Sequence, residues 1–505
     1  MYNVLIEALD LVLQPNVILY LLVGVAGGMC IGCLPGLTTT MGVALVLPLT
    51  FGMDAVPSIL LLIGVYVGAV YGGSLAAILL NTPGTPASAA TALDGYKMAS
   101  RGEAGRALGI STISSFIGGL ISCIFLILIA PVLADFALKF SAPEFFMLAV
   151  FGLCIISSIS GKSIFLGLIS GFIGMFIATI GLDDITGNMR FTFDNINLYS
   201  GINFIPVMIG LFAMSQAFIG VEEIGVKSKA TGKIKRVIPK GSDWKVIFKN
   251  GVPFGSLGAF IGTIPGVGAD IASFIAYGQA KSISKKPEEF GKGSPEGVSA
   301  PEAANNGVTG GALIPMLCLG VPGDAVAAIM IGSLTVQGIQ PGPLLFQNDA
   351  STVYAIFIGL LIANVFMLIL GLSSVRIFTK VLSVPKPVLV PTIMLLCFVG
   401  SYALNNNMFD VAVMLFFGVV GYFFQKLDIS ASPLILGLIL GPMAESNFRR
   451  ALLMSRGDYS TFLSTGICWA FFTLIIISLL FPIIKSRMLK KKQNNSVNTH
   501  GFERN

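Results

Sequence analysis

The chain has 505 residues, 54% of them hydrophobic and only 11% charged, with a formal net charge of +6 and a mean hydropathy of +0.87. A soluble domain carries about 25% charged residues, so this chain cannot cover its own surface with polar groups, which argues against a soluble enzyme. No basic segment is interleaved with aromatics, which argues against nucleic acid as a partner. The apolar runs lack strict apolar/polar alternation, so the expected class is all-α, a polytopic transmembrane helix bundle in contact with membrane lipid, and not a barrel.

In chain order, Met1 to Asn16 has no Lys or Arg, which places the N-terminus outside, and its first residues have no basic n-region of a cleavable signal peptide. Val17 to Gly28 is uncharged and leads through Cys30 and Cys33 to Gly32-Cys-Leu-Pro35-Gly36 and Thr38, Thr39 and Thr40. A C-x-x-C inside an apolar helix reads as packing and not as redox or metal chemistry. Gly72-Gly73 leads through a second apolar stretch to Asn81-Thr82-Pro83-Gly84-Thr85 and Ser88. Lys97, Arg101 and Arg106 mark a cytoplasmic loop, and Ile113 to Val132 is again uncharged. Leu182 to Asn197 carries Asp183, Asp184 and Asp194 against Arg190 and belongs outside. Glu222 to Asn250 is the longest basic loop, with Lys227, Lys229, Lys233, Lys235, Arg236, Lys240, Lys245 and Lys249, and belongs in the cytoplasm.

Gly251–Ile264 and Val267–Ala280 follow, each about 14 residues and too short to span comfortably. They read as a re-entrant hairpin with Pro265-Gly266 at its tip, Thr263 and Asp270 beside it, and a basic loop at Lys281 to Lys292 beyond. Ser294 to Gly307 is the densest polar stretch. One reading is a loop and helix start, with Ser299 and Glu302 as a capping box. Another puts Asn305 and Asn306 one turn into the membrane, facing a site. Pro322-Gly323 then interrupts a spanning helix, with Asp324 next to it. Phe462 to Ile484 returns the chain to the cytoplasm, where the basic tail lies. The only histidine, His500, is in that tail, so neither a zinc site nor a histidine base is expected.

The chain resembles itself. Gly262 of Gly-Thr-Ile-Pro-Gly lies 230 residues after Gly32, and Gly323 of Val-Pro-Gly lies 239 after Gly84. The basic loop at Lys97–Arg106 corresponds to Gln337–Asp349, which has no Lys or Arg, and the basic loop at Lys281–Lys292 corresponds to Phe51–Pro57. Equivalent loops on opposite sides are the signature of an inverted-topology repeat. The expected organisation is a first transmembrane repeat at 1–221, a basic cytoplasmic loop at 222–249 and a second repeat at 250–460. An extra helix at 461–484 and a polar cytoplasmic tail at 485–505 complete the chain.

Pro-Gly pairs inside apolar runs break helices, and in lipid the freed backbone groups must face protein or a wet cavity. The four breaks therefore define a candidate substrate site near the midplane: Pro35, Gly36, Thr38, Thr39, Asn81, Thr82, Pro83, Gly84, Thr85, Pro265, Gly266, Asn305, Asn306, Pro322 and Gly323. Helix N-termini with neutral hydroxyl and amide donors suit an anionic solute. Asp270, Asp324 and Thr263 are the candidates for ion coupling, to Na⁺ or to a proton. For Asp324 the alternative is a plain helix N-cap. No other metal or cofactor is expected.

Together the stretches Gly32 to Gly42, Tyr71 to Tyr96, Gly262 to Asp270, Pro295 to Gly311 and Leu319 to Asp324 resemble the large membrane subunit of the tripartite tricarboxylate transporters, the TctA family. The resemblance covers nearly the whole chain except the tail from Lys490. It implies a multi-pass carrier of the bacterial inner membrane that takes up citrate-like tricarboxylates or related organic acids on an ion gradient. It also implies two partners: a small, four-helix-type membrane subunit (TctB-like) and an extracytoplasmic solute-binding protein (TctC-like). The absence of a G-x-x-x-x-G-K-[ST] loop agrees with transport without ATP. A channel and an intramembrane enzyme are the alternatives, the latter without a persuasive nucleophile-and-base set.

Overall fold

The computed structural model describes residues 2–34, 36–159, 164–183, 185–222, 237–373 and 386–478. Pro35, Asp184, the middle of the long basic loop from 223 to 236, the end of the last apolar run and the tail with His500 lie outside the described residues. The described residues are mostly helical, with one short hairpin, β1 (Gly181–Leu182) antiparallel to β2 (Met189–Arg190), among the loops. Seven helical segments among the described residues are long and apolar enough to cross a membrane.

The first half of the chain contributes α1 (Tyr2–Val12), α2 (Pro15–Cys33), α3 (Thr39–Val46), α4 (Ala55–Leu80), α5 (Ala89–Met98) and α6 (Ala104–Ala137). It continues with α7 (Ala142–Ile159), α8 (Ile164–Ala178), α9 (Phe204–Met208) and α10 (Ser215–Glu222). The second half contributes α11 (Gly241–Gly262), α12 (Gly268–Ile283), α13 (Pro295–Leu319), α14 (Ala325–Val336), α15 (Leu345–Asn348) and α16 (Ala350–Ser373). α17 (Lys386–Asn405), α18 (Met408–Lys426), α19 (Ser432–Met454) and α20 (Gly466–Ser478) follow. The expected short arm from Gly251 instead begins at Gly241, so α11 is 22 residues long. Lys245 and Lys249 extend it as helix because Asp243 closes its first turn, accepting from the Lys240 amide at 2.8 Å.

The chain forms two compact units, and each draws on both halves of the sequence. One comprises Met1–Lys139 and Asn203–Phe424. Its centre is α4, whose membrane-length stretch is wholly buried, as expected of a helix that is apolar on every side. α2 lies against α4 along a glycine seam. A Cβ on Gly24, Gly28 or Gly32 would overlap the carbonyl oxygen of Leu61, Val65 or Ala69, and one on Gly64, Gly68 or Gly72 would meet that of Leu21, Val25 or Met29. α11 and α13 repeat the device, with Gly258 and Gly311 closing on the carbonyls of Ala304 and Ala259. Small residues at every fourth position let helix backbones touch where lipid supplies no hydrophobic drive.

These contacts also fix directions. The pairs 24 with 61, 28 with 65 and 32 with 69 make α2 and α4 parallel, and 258 with 304 and 262 with 308 make α11 and α13 parallel. α6 runs parallel to α13, since Ser114 bonds Ser299, Gly118 abuts Ala303 and the Cys318 thiol donates to the Ala130 carbonyl. α16 runs parallel to α4 (Gly359 on Leu60, Gly371 on Tyr71) and antiparallel to α6 (Gly371 on Thr112, Gly119 on Asn364). α4 and α13, which the expected repeat would make equivalent, therefore point in opposite directions, and α6 and α16 are each packed against the other half.

The second unit comprises Phe140–Ile202 and the described part of Gln425–Asn505. α8 and α19 close on glycines, Gly174 on Leu434 and Gly437 on Gly171. Phe146, Phe448 and Phe462 stack beside them. The hairpin is tied to α19 by Arg449, which donates to Asp183 at 2.8 Å, and by Arg190, which donates to Glu445 at 2.6 Å. Arg449 and two backbone amides hold the Asp183 carboxyl below its ordinary range.

Candidate functional site

The four Pro-Gly breaks are built from the helix ends around them. α4 stops at Asn81, which takes a left-handed φ of 56°, and α13 stops at Gly320 with a φ of 68°. A left-handed residue ends a helix by turning the chain away, and Gly and Asn tolerate it best. In the second half the two breaks meet, and in the first the Pro83-Gly84 break packs on the helix that leads toward the other. Gly84 packs on the carbonyl of Gly32, the last glycine before Pro35-Gly36, and its amide donates to Gly73 O at 3.2 Å. Gly323 packs on the carbonyl of Gly262, and its own carbonyl accepts from the Gly266 amide at 2.5 Å.

Across the halves the paired helix of one reaches the break of the other. Tyr66 of α4 donates to Asp324 at 2.5 Å. Asn305 of α13 donates to Ala87 O, just past Pro83-Gly84, at 3.4 Å. Asp324 also accepts from the Ala327 amide at 2.7 Å and is the N-cap of α14. The N-terminus of α14 is thus occupied by the protein's own carboxylate, while α5 begins with no side-chain cap. Asp270 is exposed on α12, within electrostatic reach of Asp324 and Tyr66.

The remaining predicted residues divide. Gly36, Asn81 and Thr82 are exposed, and Pro83 and Thr263 are half-buried. Thr38 caps α3, accepting from the Met41 amide at 3.1 Å, and Thr39 is buried beside it. Thr263 turns its hydroxyl back to Phe260 O. Pro265 and Pro322 are buried. Among the described residues the Thr85 hydroxyl and the Asn306 carbonyl oxygen are buried and find no hydrogen-bond partner, the condition in which a ligand's polar group would be welcome.

Glu302 and Ser299 do not form the capping box that their spacing predicts. α13 starts earlier, at Pro295 after Ser294, because Asp94 of α5 accepts from the Gly293 and Ser294 amides at 2.7 and 2.8 Å. Glu302 is therefore inside the helix, fully buried. Its Oε1 accepts from Ser74 at 2.5 Å and from Thr91, and its Oε2 accepts from Ser115 at 2.8 Å and Ser111 at 3.0 Å. The signal that could have revealed it was serine and threonine at helical spacing in otherwise apolar α4 and α6.

The predicted cytoplasmic segments converge at one end of the first unit. Arg106 pairs with Asp243 at 2.6 Å, Lys240 with Glu103 at 2.6 Å and Lys249 with Glu296 at 3.5 Å. Lys97, Arg101 and Arg106 are helical or lie in the tight turn at Gly102, whose φ is 81°.

Residues 18–436 match the sequence model of the family described as the tripartite tricarboxylate transporter TctA family. The chain belongs to the TctA family. Two relatives from Agrobacterium vitis are similar to this TctA-family chain. The "uncharacterized 52.8 kDa protein in TAR-I ttuC' 3'region" is 37% identical over 479 residues, covering 94% of this chain and 95% of the relative. The "uncharacterized protein in TAR-II ttuC' 3'region" is 36% identical over 236 residues, covering 47% of this chain and 98% of the relative. No solved structure matches. The TctA family is a family of transporters, which with the seven apolar segments makes this a multi-pass membrane protein of transporter type.

Proposed function

We propose that the chain is the carrier of a tripartite secondary uptake system for citrate-like or related organic acids, working in the bacterial inner membrane on a Na⁺ or proton gradient. The observation that carries this reading is the bond between Tyr66 and Asp324, which ties helix α4 of one half to the Pro322-Gly323 break of the other, with α4 and α13 of the two halves running in opposite directions. Two such halves can expose one central site to either side in turn, as inverted repeats do. The helical turn Pro86–Ser88 that leads into α5 has no side-chain cap at Thr85, whose buried hydroxyl lacks a hydrogen-bond partner, and there a solute carboxylate would find a donor at a helix start. Asp324, with Asp270 in electrostatic reach, would serve the coupling ion. The end that gathers Arg106, Lys240 and Lys249 would face the cytoplasm. A small membrane subunit and an extracytoplasmic solute-binding protein would complete the system, as in the family.

Uptake of labelled organic acids into proteoliposomes under imposed Na⁺ or pH gradients tests the reading. Gradient-driven accumulation is expected, and Asp324→Asn is expected to weaken it while the protein still inserts. Passive flux indifferent to either gradient would overturn the carrier in favour of a channel.

A further inference from the structure

Glu302 is a fully enclosed acidic group of the first unit, and neither the family's name nor the Pro-Gly geometry gives it a task. It lies on α13, in the second half, yet all its hydrogen-bond donors come from the first half: Ser74 on α4, Thr91 on α5, and Ser111 and Ser115 on α6. All five side chains are inaccessible to solvent. No lysine, arginine or histidine bonds to this carboxylate among the described residues. A buried carboxylate without a cation carries a large desolvation cost, and four hydroxyl donors offset only part of it.

We propose that Glu302 and its four hydroxyls form a binding site for a monovalent hard cation, Na⁺. The assignment rests on the reading of the chain as a gradient-driven carrier. Six oxygens, two of them carboxylate, match the ligand preference of hard cations for oxygen. One formal charge is neutralised by one positive charge, and no group of three or more His, Cys, Asp or Glu residues is present among the described residues to favour a divalent ion. The hydroxyls have somewhere else to send their protons. Each lies on a helical segment, and a helical Ser or Thr can donate to the carbonyl four residues back. For Ser74, Thr91, Ser111 and Ser115 these are Val70, Ala87, Ala107 and Ser111. Turning outward, the hydroxyls present lone pairs to the centre, so the ring that now closes on the carboxylate can open around an ion.

The position explains how the ion would act on the solute. Thr91 sits one turn after Ser88, in the segment that follows the Pro83-Gly84 break, and Asn305 sits one turn after Glu302 and donates to Ala87 O. Binding at Glu302 would therefore draw the first-half break and α13 together from both sides of that contact. A ligand that favours one arrangement of two packed halves shifts the equilibrium by its differential affinity.

The test uses the purified full-length protein, with binding of radioactive sodium and thermal unfolding measured as NaCl replaces choline chloride at constant ionic strength. The wild type is expected to bind sodium and to be stabilised by it. Ser114→Ala, which breaks the neighbouring Ser114–Ser299 contact at the same helix interface, should behave like the wild type. Ser111→Ala and Ser115→Ala should each lose roughly tenfold in apparent affinity, about 1.4 kcal/mol, and Glu302→Gln should lose the part of the sodium response that persists in Asp324→Asn. Should Glu302→Gln fail to fold, the two serine variants decide alone. Undiminished sodium binding in Glu302→Gln or in both serine variants overturns the site, as does a wild type that responds to pH and not to sodium. Sodium binding with no driven uptake of any organic acid would refute the carrier and leave the site standing. Driven uptake with no sodium binding would do the reverse.

Discussion

Gly27 and Gly28 are adjacent on α2, and opposite outcomes are expected when each becomes alanine. A Cβ on Gly27 would meet nothing within 4 Å, whereas one on Gly28 would run into the carbonyl oxygen and Cα of Val65 on α4. At Gly27 the change removes glycine's backbone entropy from a helix interior, worth about 0.5–1 kcal/mol of stabilisation. At Gly28 the same propensity gain is overrun. The obstacle is backbone, so no rotamer can yield, and α2 must move off α4 along the seam that also holds Gly24 and Gly32. Overpacking of this kind costs about 1–3 kcal/mol, and retreat also weakens close Cα–H···O contacts of about 0.5–1 kcal/mol each. The net expectation is a lower unfolding temperature for Gly28→Ala and an unchanged or higher one for Gly27→Ala, read by thermal unfolding of the full chain in one detergent at one heating rate. Equal shifts, or a Gly28→Ala protein as stable as the wild type, would refute the seam as the contact that joins these helices.

Other consequences follow from single contacts. Tyr66→Phe removes a donor from Asp324 and leaves the Ala327 amide. Losing a hydrogen bond to a charged group costs about 1.5–3 kcal/mol, so ion-driven uptake should fall by roughly tenfold or more with expression unchanged, and normal uptake would remove this bridge from the coupling path. Gly84→Ala would place a methyl group on Gly32 O and the Gly73 Cα, so uptake should collapse, whereas Gly102→Ala, with open space around it but a φ of 81°, should strain only the turn. In the second unit the Asp183 carboxyl is held below its ordinary range, first by Arg449. A depressed folded-state pKa adds stability that is present above the unfolded value, about 3.9, and is lost as pH falls through the folded one. Hydrogen-exchange protection of β1 and β2 should therefore hold down to about pH 4 and decline below it, and in Arg449→Gln it should be weaker at neutral pH and fall less on acidification. Identical profiles for the two proteins would exclude Arg449 as the cause.

Composition and periodicity alone determine that this chain is a helical membrane protein, because so few charges cannot solvate its surface and long uncharged runs can only be buried or lie in lipid. The breaks were equally legible. Proline and glycine disrupt a helix through local sterics that need no knowledge of neighbours, so Asn81 to Gly84 and Gly320 to Gly323 stand where the residues put them. The basic loops could be grouped by charge before it was known that Arg106, Asp243, Lys240 and Glu103 touch. Tertiary structure alone decided what depends on partners distant in sequence. The start of α13 moved because Asp94, 200 residues from Ser294, accepts from its amide. Asp324 became both a cap and the acceptor of Tyr66, which one strand of sequence cannot distinguish. Glu302, legible only as a helix-start residue, turned out to be enclosed by hydroxyls from three other helices, since burial and hydrogen-bond partners are properties of packing and not of local order along the chain.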